Sequence, residues 1–138
     1  MTAREVLLDT SAAVALIVAD HAGHAATRSA VRGHRLGLAG HAWFETYSVL
    51  TRLPGANRRM PRDVHRLLLQ NFPATRFLDE SSAAALGAEL VRSGIAGGSV
   101  YDAIVGATAR LHGLPLVSRD RRAAATYALL AVETRLVE

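Results

Sequence analysis

Three aspartates in this 138-residue chain stand where an acid could do chemistry. Asp9 follows the apolar run Val6-Leu7-Leu8, Asp120 follows shortly after Leu116-Val117, and Asp102 opens the segment VYDAIVGATARLHG. In that segment Gly97-Gly98 break the chain and Ser99 is a good helix N-cap. Val100, Ile104, Ala107 and Leu111 then recur at helical spacing. Val105, Gly106 and Ala109 give the helix a second small or apolar face, the pattern of a buried helix. Asp102 lies on that second face, in the first turn. A buried, unpaired carboxylate costs several kcal/mol, so it is normally paired, protonated or bound to a metal. Each of the three also suits a helix cap, where Asp accepts backbone hydrogen bonds and favours the positive end of the dipole. Capping alone does not explain three acids gathered along one edge. Glu45, in HAWFETYSVLTRLP, sits beside Val49 at the margin of a stripe made by Ala42, Trp43, Tyr47, Val49, Leu50 and Leu53. It reads as a fourth acid of the group or as an exposed or salt-bridged glutamate.

Composition narrows the chemistry. There is no cysteine, which removes disulfides, Cys-ligated zinc and thiol nucleophiles. All sixteen basic residues are arginine. This suits bidentate phosphate binding and equally follows from a GC-rich genome. The missing lysine removes the P-loop and lysine Schiff bases. It also argues against a phospho-accepting receiver domain, whose acids are paired with a lysine. Ser11 stands where a haloacid-dehalogenase-type phosphatase wants a second Asp, and no G-x-G-x-x-G follows a strand. His21 and His24 have a possible metal spacing but no accompanying ligands, so a polar helix surface is the simpler reading. The N-terminal apolar run is interrupted by Asp9, and its unbroken part, Ala12 to Ala19, is eight residues. A membrane span needs about 18, so the chain reads as soluble, cytoplasmic and without a membrane partner.

The elements that must position these acids alternate between strand and helix. Glu5–Leu8 reads as a strand, followed by a helix to about Val18 and another over Ala22–Val31. Leu36–Ala39 reads as a strand, and His41–Arg52 as a helix that stops at Pro54-Gly55. Pro61 suits the first turn of a helix carrying Val64, Leu67, Leu68 and Phe72. Thr75–Leu78 reads as a strand, and Ser81 or Ser82 caps a helix with Ala83, Leu86, Leu90 and Val91 that ends at Gly94. After the Asp102 helix come a strand over Leu114–Val117, a helix over Arg121–Leu129 and a strand over Val132–Val137. One domain, residues 1–138, without repeats or linkers, is expected. Its class is α/β, with a parallel sheet of four to five short strands and helices on both faces. Such a fold gathers functional groups at the carboxyl ends of its strands.

The order VLLDTSA, ETYSVLTRLPG, VYDAIVGATARLHGLPLVSRD resembles the PIN-domain ribonucleases, and specifically the toxin subunit of VapBC toxin–antitoxin pairs. The resemblance runs from the first strand to the last. It implies that Asp9, Glu45, Asp102 and Asp120 form a metal-binding acidic cluster, with Ser11 and Ser118 as hydroxyl-bearing neighbours. Some relatives carry a further acid after the fourth; here Arg121 and Arg122 follow Asp120. It further implies an endoribonuclease, a homodimer and a VapB-type antitoxin in the active-site groove. The alternative is a degenerate PIN-like domain that binds RNA or a protein partner without cutting.

The chemistry of such a cluster is consistent with this. Neighbouring carboxylates raise each other's pKa unless cations lie between them. Hard oxygen ligands select Mg2+ or Mn2+, ions that activate water and stabilise charge on a phosphate. Four negative charges taken out of a chain of net charge +4 leave +8 on the remainder, which suits a polyanion. Arg58, Arg59, Arg62 and Arg66, with Arg119, Arg121 and Arg122, are the expected RNA contacts, or else a solvated basic surface. Trp43, Tyr47 and Tyr101 are expected in the core or a dimer interface rather than stacked on bases.

Overall fold

The computed structural model describes residues 3–138. Four short strands form an all-parallel sheet in the order β2-β1-β3-β4, with β1 at Glu5–Leu8, β2 at Arg35–Leu38, β3 at Leu116–Ser118 and β4 at Thr134–Leu136. The inner strand β1 pairs with β2 from Glu5↔Arg35 to Leu8↔Leu38, and with β3 at Leu7↔Leu116 and Leu8↔Val117. Its apolar run is continuous because a central parallel strand is covered on both faces. Val6 and Leu8 pack with Val117 under α1 (Thr10–Ile17), α2 (His24–Val31), α3 (His41–Thr51) and α4 (Pro61–Asn71). Leu7 and Leu116 face the other way, against Val105, Ala109, Ala123 and Tyr127 of α6 (Ser99–His112) and α7 (Arg121–Leu129).

From β1 the chain crosses to β2 on one side, and it later returns to lay β3 on the other. The crevice beyond the carboxyl ends of β1 and β3 is therefore a topological switch point, where open α/β sheets place their sites. Asp9 is the first residue past β1, and Asp120 the second past β3.

The expected strand at Thr75–Leu78 is not one. Residues 74–76 run beside β2, with Ala74 N–H on the Leu36 carbonyl and Arg76 N–H on the Leu38 carbonyl. The Leu38 N–H, however, is taken by the Thr75 hydroxyl at 3.0 Å. That side chain interrupts the ladder and leaves a single bridge, Ala39↔Arg76. Gly37 permits the approach: a Cβ there would lie 2.3 Å from the Ala74 carbonyl.

Two caps also differ from expectation. Asp79, not Ser81 or Ser82, caps α5 (Glu80–Ser93), its carboxylate accepting the Ser82 N–H at 2.7 Å. Gly98 precedes α6, so Ser99 is its first helical residue and no side chain caps the start. Leu111 and Val91 point outward despite their helical spacing, because α5 covers only part of α6 and nothing described covers the far side of α5.

Candidate active site

Asp9, Glu45, Asp102 and Asp120 all line one cleft of about 170 Å³ at the switch point, with Thr10, Ser11, Tyr101, Arg122 and Tyr127. Three larger hollows, about 310, 390 and 410 Å³, contain none of the four acids. The first lies at the start of α4, the second around Arg4, Leu114 and Pro115, and the third is an apolar groove between α3, α5 and α6. The small polar cleft is thus where the four acids converge.

Asp9 is buried at the end of β1 and caps α1. Its Oδ1 accepts the Ser11 hydroxyl at 2.6 Å and the Ala12 N–H at 3.1 Å. Its Oδ2 accepts the Tyr127 hydroxyl at 2.8 Å. Burial pushes the carboxyl above its ordinary value, against the pull of the hydroxyls of Ser11 and Ser118, the Ala12 N–H and Tyr127. Ser11 also accepts the Arg119 N–H at 2.8 Å, which ties the ends of β1 and β3 together, while Ser118 accepts the Asp120 N–H at 3.0 Å within the turn after β3.

Asp120 caps α7, its Oδ1 accepting from the N–H groups of Arg122 and Ala123. Glu45 reaches the cleft from α3, where its Oε2 accepts the Thr10 hydroxyl at 2.9 Å and its Oε1 lies 3.1 Å from His41 Nε2. Glu45 is half-buried, lies against His41 and lines the cleft with the other acids.

Among the described residues, no hydrogen-bond donor reaches Oδ2 of Asp102, which is buried. The Arg122 guanidinium lies 3.5 Å away but is mostly exposed, and the contact lacks hydrogen-bond geometry. Desolvation raises the Asp102 pKa most; Arg122 lowers it, and Asp120, Glu45 and Asp9 raise it further. An exposed arginine at that distance is screened by water and offsets little of the burial.

The donor set suits a hard cation: oxygen only, multiply charged, and with one buried carboxylate oxygen lacking a partner. Among the described residues, though, no three such groups stand close enough together to hold an ion. Three of the four acids are held back by the protein's own donors, Asp9 by Ser11 and Tyr127, Glu45 by Thr10 and His41, Asp120 by the start of α7.

Of the seven arginines expected at RNA, only Arg122 lines the cleft. Arg119 turns away and packs under α2, its guanidinium filling the space where a Cβ on Gly23 would stand. Arg66 pairs with Asp63 at 2.6 Å, and Arg121 pairs with Glu138. Arg58 and Arg59 bond to the carbonyls of Leu53 and Asn57 beside the short 3-10 turn Gly55–Asn57, and Arg62 is exposed at the start of α4. Trp43 and Tyr47 pack against the core, as expected. Tyr101 does not: it is 52% exposed at the cleft's rim. Thr10, His41 and Tyr127 are site residues that spacing did not reveal, although Thr10 stands inside the quoted VLLDTSA.

The sequence model of the PIN domain matches residues 6–129, which contain all four acids. The chain belongs to the PIN domain family. Two relatives of the chain come from Mycobacterium tuberculosis. Ribonuclease VapC27 of strain ATCC 25618 / H37Rv is 42% identical over 125 residues, 91% of this chain and 91% of that protein. Ribonuclease VapC40 of strain CDC 1551 / Oshkosh is 45% identical over 134 residues, 94% of this chain and 96% of that protein. Among solved structures, the crystal structure of PAE2754 from Pyrobaculum aerophilum superposes with a TM-score of 0.57 at 25% identity. The match covers 91% of this chain and 87% of that one. As a PIN domain, the chain presents its acids at the carboxyl edge of the sheet, between β1 and β3.

Proposed function

We propose that the chain is a metal-dependent endoribonuclease, the toxin of a VapBC-type pair. The observation that carries this is the meeting of Asp9, Glu45, Asp102 and Asp120 in one cleft, with Asp102 Oδ2 buried and unpartnered. Near-full-length similarity to two proteins named ribonucleases supports the substrate class. Mg2+ or Mn2+ is the proposed cofactor, which the carboxylates of Asp9, Glu45, Asp102 and Asp120 would hold. Bound there, a hard divalent cation supplies charge that acidifies water and stabilises a phosphate.

The chain's own groups prepare that site. Ser11, Ala12 N–H and Tyr127 keep Asp9 fixed and aimed. Thr10 and His41 hold Glu45 against the cleft wall. Arg122 offers an exposed guanidinium next to Asp102 and Asp120, which suits a phosphate of the RNA strand. Hydrolysis breaks one P–O bond of the strand, and water supplies the oxygen to the phosphate and the proton to the released hydroxyl.

A cognate VapB-type antitoxin as inhibitor, a homodimer and a cytoplasmic setting complete the proposal. Among the described residues no helix is long and apolar enough to cross a membrane.

The test is cleavage of total cellular RNA by purified protein, with sequencing of the new ends. Discrete cuts that vanish with chelator and return with Mg2+ or Mn2+ are expected. Full cleavage after exhaustive chelation overturns the metal, and absence of any cut returns the chain to the non-cutting, RNA- or partner-binding alternative.

A further inference from the structure

Among the described residues, Tyr101 is, apart from the buried Tyr127, the one aromatic ring lining the acid cleft. The other large exposed rings, Phe44 and Phe77, face the neighbouring apolar groove instead. Tyr101 stands one residue before Asp102 in the first turn of α6, so the ring and that carboxylate share a rim. Its ring stacks on the imidazole of His41, with centroids 5.0 Å apart and planes 24° from parallel. His41 in turn lies 3.1 Å from Glu45, whose other oxygen is held by Thr10. The ring is thus backed on one side by a tethered partner, while about half of its surface faces solvent at the mouth of the cleft.

We propose that the open face of Tyr101 is a nucleobase-stacking subsite, which seats the base of a nucleotide flanking the scissile phosphate. The inference rests on the ribonuclease reading and deepens it. Three features favour a base. The surface offered is flat and aromatic, it borders the acid cleft proposed to take a phosphodiester, and the stack on His41 restrains its orientation before binding, which lowers the ordering cost. Stacking accepts any base, because every base has a π-face. The subsite therefore contributes affinity and register along the strand, and sequence choice must come from elsewhere.

The experiment uses a synthetic oligoribonucleotide spanning a site that the wild-type protein cuts, and matched versions lacking the base at each nucleotide beside the cut. Tyr101→Ala is expected to raise KM on the intact strand about 5- to 150-fold, the range set by a single base–aromatic stack, with a smaller change in kcat. Tyr101→Phe keeps the ring and restores tight binding. On the version lacking the stacked base, wild type and Tyr101→Ala should converge, which isolates the ring–base pair as a double-mutant cycle does. A fluorescent base analogue at that nucleotide should be quenched on binding to wild type and Tyr101→Phe, and not on binding to Tyr101→Ala. Melting curves of the variants establish that all are folded.

Unchanged KM in Tyr101→Ala, with wild type cutting normally, overturns the subsite and leaves the ribonuclease reading intact. Loss in Tyr101→Phe equal to that in Tyr101→Ala assigns the effect to the hydroxyl and overturns stacking. Unchanged RNA kinetics together with weakened self-association or inhibition by a protein partner assigns the ring to a protein interface instead. Failure of the wild type to cut any RNA overturns the ribonuclease reading, and the subsite falls with it.

Discussion

The hydroxyl of Tyr127 donates to Oδ2 of Asp9 at 2.8 Å, joining α7 to the end of β1 across 118 residues of chain. Oδ1 of Asp9 is already occupied by two donors, and the Tyr127 hydroxyl restrains the other oxygen. The ring reaches it because Gly106 has no side chain; a Cβ there would stand 3.0 Å from Tyr127 Cδ1. Burial and the neighbouring carboxylate hold the phenol far above its usual pKa, so it remains a donor at every working pH. Tyr127→Phe should cost about 1–3 kcal/mol of stability, the penalty for leaving a buried acceptor short of its donor. Denaturant titrations of Tyr127→Phe, Asp9→Asn and the double variant measure it. The two changes should couple by about 0.5–3 kcal/mol, whereas strict additivity would deny the interaction energetic weight.

Asp102→Asn should leave the protein folded and remove cleavage. Its apo stability should equal or exceed that of wild type, because a buried, poorly paired charge is lost. An ion that binds only the folded state stabilises it by about 2.7 kcal/mol at 100 times its Kd. Melting curves with and without Mn2+ should therefore shift for wild type and much less for Asp102→Asn. Equal shifts would return Asp102 to a purely local role at the start of α6.

The same carboxylates set a pH dependence. Asp9 and Asp102 have folded pKa values raised above the ordinary 3.8. The folded state therefore holds their protons more tightly than the unfolded chain. The stability they contribute is complete below 3.8 and is lost as pH rises through the raised folded values. Asp79 and Glu89 are shifted the other way, so their contributions fall only in more acidic solution. In chelator, the wild-type melting temperature should fall relative to that of Asp102→Asn as pH rises from about 4.5 to about 8. A difference independent of pH would contradict a raised Asp102.

Gly37 can be tested without reference to activity. A Cβ there would stand 2.3 Å from backbone atoms of Ala74 and 2.6 Å from the Thr75 nitrogen, and backbone cannot swing aside. Gly37→Ala should cost about 1–3 kcal/mol or more and should speed hydrogen exchange at the Ala74 and Arg76 amides, which bond to β2. Wild-type exchange at both amides would show that the segment accommodates the methyl.

The arginines separate by position. Arg122 lines the cleft, while Arg58, Arg59 and Arg62 cluster at the start of α4 and line no part of it. Arg122→Ala should weaken RNA binding and reduce the salt slope of affinity by about one unit or less. The triple alanine variant at Arg58, Arg59 and Arg62 should leave the cut position unchanged, and its salt slope decides whether that patch meets the strand. An unaltered slope makes the patch a solvated surface.

Several elements were legible because local rules and burial agree there. The apolar runs of β1 and β3, the α7 span Arg121–Leu129, and the stops at Gly94 and Gly113 follow from periodicity and from left-handed glycine caps. The segment around Thr75 was misread because its composition suits a strand, whereas one hydroxyl bond to Leu38 N–H, invisible in sequence, breaks the ladder. The cap of α5 was misread because Asp and Ser compete for the same role within three residues.

At the site, the acids themselves, the place of Asp9 and Asp120 after strands and the start of an apolar helix at Asp102 are all legible in the chain's order of residues. A parallel sheet then brings strand ends to one edge whatever the side chains are. How each carboxylate is held follows from the packing of elements distant in sequence: Asp9 by a tyrosine 118 residues away, Glu45 by a threonine 35 residues away, and Asp102 by no hydrogen bond to its buried Oδ2. The same packing leaves Tyr101 facing outward while Trp43 and Tyr47 pack against the core. The reason is physical: sequence spacing fixes the face of an element on which a side chain lies, but the donor it meets depends on which other element is packed there.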